Sequence, residues 1–102
     1  MIYRQGDVLL IQVRQLPKGA TETKIDGDLI LMHGEVTGHA HRIAHPDGKV
    51  RVFDSGAERF IRAMVDTPLT HEEHGTITIP PGIYRQAFQV EERGEEVRRV
   101  AD

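Results

Sequence analysis

Apolar and polar residues alternate over several short runs: "DVLLIQV" at 7–13, "DLILMH" at 28–33, "KVRVF" at 49–53, "ERFIRAMV" at 58–65, "GTITI" at 75–79 and "YRQAFQV" at 84–90. A period of two sends successive side chains to opposite faces of an extended chain, so each run predicts a β-strand rather than a helix. Turn-forming pieces, "LPKGA", "IDGD", "GEVTG", "HPDGK", "DSG" and "IPPG", separate the runs. Their spacing of roughly ten residues predicts an all-β fold, a small antiparallel barrel or sandwich of about seven strands. Helical spacing occurs only in "ERGEEVRRVAD", through Val97, Val100 and Ala101. A helix that short is marginal in water. The pattern thus predicts one β domain over 1–92 and a short irregular or helical tail over 93–102.

A chain of 102 residues makes one core, with no room for separate binding and catalytic domains. The interior of a small barrel is filled by side chains or holds one small ligand. No run of about 18 apolar residues is present, and the opening "MIYRQGDVLLIQV" is too polar and strand-like for a signal peptide. The expectation is a cytoplasmic protein with no membrane partner. Absence of cysteine removes disulfides, thiolate zinc sites and cysteine nucleophiles together. Any metal must be held by nitrogen and oxygen. A net charge of −3, with acids and bases interspersed, argues against a nucleic-acid partner, which needs clustered cations to track phosphates. Ser55 is the sole serine and lies in a turn-like "FDSGAE" without a nucleophile elbow, so serine hydrolase chemistry is not expected.

The histidines are the chemical signal. Four of the six fall in "HGEVTGHAHRIAH" at 33–45 and the other two in "THEEH" at 70–74. His39 and His41 are two apart, so on a strand both rings leave one face. "GEVTG" reads as a hairpin loop, and a symmetric closure puts His33 opposite His39 with Cβ atoms about 5 Å apart. His71 and His74 are three apart and share a face only in a turn. His74, beside Gly75, is expected to point inward, and His71 joins it only if the bend is tight. Glu72 and Glu73 offer carboxylate oxygens as ligands, as partners that fix an imidazole tautomer, or as a general base; Glu73 is the candidate catalytic residue. His39, His41, His71, His74 and His33 together suit a divalent transition metal, and zinc, iron, nickel, manganese and copper all accept such nitrogen donors. The competing reading has these rings on a polar rim, hydrogen-bonded and metal-free.

The same residues give a resemblance to the cupin superfamily, small β-barrels that hold a metal inside. "GEVTGHAHRIAH" is similar to the first cupin motif: Gly34, four residues, then His39 and His41, with His45 where that motif has a glutamate. "GTITIPPGIYR" is similar to the second: Gly75, four residues, then Pro80 to Gly82, with Arg85 in the place of its histidine. Asparagine, which ends the second motif, is absent from the chain. The resemblance covers about half the chain and implies a metal between His39, His41 and a third ligand. That third ligand is taken from "THEEH" on proximity. His45, in the turn "AHPDGK", is expected to be solvated.

Tyr84 and Arg85 must take opposite sides of the last strand. An inward Tyr84 beside Phe88 leaves Arg85 outward, whereas an inward Arg85 would clamp a carboxylate or phosphate. Three functions stay open: a metal-dependent enzyme acting on a small polar metabolite, a non-catalytic metal or ligand binder, and a structural or assembly module whose histidines sit at an interface without metal. Open strand edges favour a homo-oligomer, most simply a dimer.

Overall fold

Buried backbone N–H and C=O groups of an extended chain have no partner within their own segment, so the alternating runs pair with other strands. In the computed structural model, which describes residues 1–88, they do so as β1 (Ile2–Gln5), β2 (Val8–Val13), β3 (Thr21–Thr23), β4 (Leu29–His33) and β5 (Ala40–Ile43), followed by β6 (Val50–Ser55), β7 (Glu58–Ala63), β8 (Thr67–Leu69), β9 (Ile77–Ile79) and β10 (Gly82–Phe88). All pairings are antiparallel, and the fold is all-β among the described residues. The tail expected over 93–102 lies outside them.

Six strands form one sheet in the order β1-β2-β10-β7-β6-β3. β4 pairs with β5 and β8 with β9 as two separate hairpins. Arg42 and Thr70 join these hairpins by donating each N–H to the other's carbonyl at 2.9 Å. The hairpins supply Leu29, Leu31, Ile43, Leu69 and Ile79 to the core, against Val8, Leu10, Val52, Ile61 and Tyr84 of the large sheet. Burying such side chains stabilises each by roughly 1.5–3 kcal/mol. The result is a sandwich in which β1 and β3 remain sheet edges; among the described residues no closed barrel forms.

Of the strands beyond the expected seven, β3 is an exposed Thr-Glu-Thr edge and β8 is a Thr-Pro-Leu piece. Three residues are too few to show a period. Pro68 also lacks the N–H of a central strand, which suits a short edge. Tyr84 is fully buried, donates from Oη to Pro80 O at 2.5 Å, and has its pKa raised by burial. Arg85 takes the other side of β10, half-buried and 3.7 Å from Glu58, so Tyr84 is the inward residue. No helix among the described residues is long and apolar enough to cross a membrane.

Candidate metal centre

The site is organised around a buried amide. Gln5 ends β1 and is 3% exposed. Its Nε2 donates to Leu69 O at 2.8 Å and to Gly75 O at 3.0 Å. Carbonyls only accept, so this fixes which end of the amide is nitrogen, and Oε1 must be an acceptor. His41 Nδ1, 2.8 Å away, is therefore the donor. The neutral His41 ring then carries its lone pair on Nε2, the arrangement that a carbonyl-type partner imposes on metal-binding histidines.

Leu69 and Gly75 also bracket the bend that carries the second histidine pair. One side chain thus holds both ends of that bend and the ring opposite it. Inside the bend, His71 Nδ1 accepts the backbone N–H of Glu73 at 3.0 Å and of His74 at 3.3 Å. The tightness needed to bring His71 beside His74 comes from the His71 ring itself. His74 lies against the β1–β2 turn at Gly6, where a Cβ would stand 2.7 Å from His74 Nε2. Gly6 also has φ +58, a left-handed conformation that favours glycine.

These anchors bring His41, His71 and His74 together, each with one ligand atom, all within 4.8 Å of one another. Ring centroids are 4.3 Å apart for His41 and His71, 4.7 Å for His71 and His74, and 5.7 Å for His41 and His74. Nitrogens around a tetrahedral zinc are about 3.3 Å apart, given Zn–N bonds near 2.0 Å, so closing on an ion takes a contraction of at most about 1.5 Å. The donor set fits a borderline divalent metal. His71 sets a condition on that fit: its Nδ1 caps two N–H groups, so ligation through Nε2 moves the ring proton to Nδ1 and releases both bonds.

The remaining predicted residues divide clearly. His39 immediately precedes β5 and its ring is 6.1 Å from that of His71, outside the three-histidine group. Its Nδ1 is 2.8 Å from Glu73 Oε2, close enough for an ion pair, but the approach misses hydrogen-bond geometry and leaves this buried nitrogen without a hydrogen bond. Glu73 is exposed; its backbone N–H is bonded to His71, but its carboxylate faces His39, outside the group. Glu72 is turned away, accepting from Ala40 N–H at 2.8 Å and facing Arg42 at 3.3 Å. The Ala40 bond is the main cause of its lowered pKa, with Arg42 adding to it. Glu72 is a strut between the hairpins.

His33 is not opposite His39. It pairs with Ala40, because Gly34 N–H donates to His39 O at 2.7 Å while His39 N–H turns back to Val36 O, and a bulge between Ile30 and Met32 shifts the register. His33 is consequently exposed and apart from the group. His45 is exposed in a turn at φ 48, its N–H on Asp28 Oδ1, as expected. Gln5 was not signalled by its motif. "YRQGDV" reads as an ordinary strand and turn, and the single hint is a polar residue on an inward position next to a turn glycine.

Fold and site together define a small antiparallel β-sandwich protein with a three-histidine group beside one end of its main sheet. The chain belongs to the family described as "Domain of unknown function (DUF8820)", whose model matches residues 4–89, a span that includes Gln5 and every histidine. Comparison with curated proteins and with solved structures gives no match.

Proposed function

We propose that this protein binds a divalent transition metal through His41, His71 and His74, with Gln5 orienting His41. The observation that carries the reading is the convergence of three imidazoles from two hairpins, within 4.8 Å, around a ring whose Nδ1 is committed to an amide oxygen. Three nitrogen ligands leave a coordination position for water or a small polar metabolite, the arrangement of catalytic rather than structural sites. Glu73, exposed with its carboxylate against His39, is the residue we assign to exchange a proton with such a molecule. The site departs from the cupin pattern in three respects: His39 lies outside the group, both rings of "THEEH" take part, and Arg85 takes none. β1 and β3 end the six-stranded sheet, and such edge strands support a homodimer.

A second reading is favoured by His71, whose Nδ1 already satisfies two backbone N–H groups. In that reading the rings are a hydrogen-bonded fastening of an assembly module, without metal. Elemental analysis and zinc titration of protein purified without a nickel column separate the two. The metal reading expects one ion per chain, and a loss of about a hundredfold in affinity in His41→Ala and in His74→Ala. Negligible binding by the parent establishes the metal-free reading, and unchanged binding in both variants removes this group as the site of any metal.

A further inference from the structure

The hairpins pack on one face of the six-stranded sheet. Val8, Leu10, Val52, Ile61 and Tyr84 point toward them, so by strand alternation Leu9, Ile11, Phe53, Phe60, Ile83 and Ala87 leave by the opposite, outer face. There Ile2, Ile11, Arg85, Phe60 and Phe53 stand in one row across β1, β2, β10, β7 and β6, and Leu9 lies between Arg4 and Ala87 in the next. A sheet with one face in water presents polar residues on it; this one does not. The described strands are all used, six in the sheet and four in the hairpins of the inner side, yet Leu9, Phe60 and Ala87 on the outer side are 8, 4 and 0% exposed. A contiguous apolar row of this kind marks a surface made to be covered.

Charge and chain path select the cover. The same face carries Arg4, Arg51, Arg62 and Arg85 against Glu22 and Glu58, a surplus of two positive charges among its described strand residues. Glu22 and Glu58 lie 3.7 Å from Arg51 and Arg85, whereas Arg62 is exposed and has no ion pair among the described residues. Two copies laid face to face would set arginine against arginine, which opposes self-association here. Residues 89–102, "QVEERGEEVRRVAD", have the opposite surplus, two negative charges, with Glu91, Glu92, Glu95 and Glu96 near their start and Val90, Val97 and Val100 among them. They follow Phe88, which is paired with Val8, so they leave β10 beside Leu9, Ala87 and Arg4. Fourteen residues reach about 20 Å even at helical rise, against about 5 Å between neighbouring strands, enough to pass over several of them.

We propose that the outer face of the sheet is the docking surface of the chain's own residues 89–102, its apolar row taking their valines and its arginines their glutamates. The inference is independent of the metal reading, whose histidines belong to the hairpin side. The chain has no cysteine, so Arg99→Cys takes a nitroxide at a single position in the full chain. In ¹H–¹³C NMR spectra the methyl signals of Leu9 and Ile11 are expected to lose most of their intensity relative to the reduced label, and those of Ile43 and Ile79 in the hairpins to keep theirs. Glu95→Lys with Glu96→Lys, made outside the described strands, is expected to lower the docked-to-undocked ratio by about tenfold, through the loss of two exposed ion pairs. Leu9 and Ile11 methyls at full intensity overturn the proposal, as does broadening confined to the hairpin side. Charge-reversed protein that broadens like the parent removes the complementarity and overturns it as well. In a mixture of isotope-labelled parent with spin-labelled chain of natural isotope content, broadening equal to that of the single labelled chain assigns the contact to a second copy and overturns docking within one chain.

Discussion

The two histidine-bearing segments of this chain reach the site by opposite means. The first, 33–45, is a regular hairpin with four histidines, and strand geometry delivers only His41 to the three-histidine group. The second, 70–74, is an irregular bend with two, and both arrive. A strand spreads its side chains along a line, so neighbours of one residue are carried to the hairpin tip or the far turn. A bend closed by its own ring and clamped at both ends concentrates them. The dense histidine run is therefore mostly periphery, and the sparse one supplies most of the site.

Gln5 is the shared fastening, so its replacement breaks the comparison most completely. Gln5→Leu strands two carbonyls and the His41 N–H, and is expected to cost about 3 kcal/mol of stability in urea unfolding, with weakened metal binding. Stability within about 0.5 kcal/mol of the parent would remove Gln5 from its central place.

Gly6→Ala acts on the second segment alone. It forces a left-handed φ on alanine and drives a methyl into His74, so a loss of about 1–2 kcal/mol is expected, together with a shifted His74 ring signal in NMR spectra. An unmoved His74 signal would show that the turn does not position the ring.

The strut at Glu72 gives a smaller, pH-dependent effect. Its carboxylate is held below the ordinary value of 4.5, chiefly by the Ala40 N–H. A depressed folded-state pKa contributes stability that is present above 4.5 and lost as the pH falls through the folded value. Glu72→Gln is expected to flatten the acid limb of the urea midpoint between neutral pH and pH 3, roughly the range of that titration. An identical acid limb would assign the dependence to other carboxylates.

His33→Ala is the null expected of the first segment. Because His33 is exposed and paired with Ala40, stability within about 0.5 kcal/mol of the parent and unchanged metal affinity are expected. A loss of metal matching that of His41→Ala would return the hairpin tip to the site.

Much of this was legible from residues alone, and the division has a physical cause. Alternation of side chains is a local property of extended backbone, so it determined the main strands, the inward Tyr84 and the placing of both H-x-H rings toward His71. Turn chemistry likewise put His45 in solvent. The register of the His33 hairpin was not local in that sense: a bulge and a loop hydrogen bond moved it by one residue, which reverses a strand's faces. The amide of Gln5 reaches carbonyls 64 and 70 positions away, and Glu72 is drawn off to Ala40 across 32. Contacts over such separations exist only once both layers have closed on a common core, so the chain's pattern decided that histidines would gather near the bend, and the tertiary structure alone decided which three.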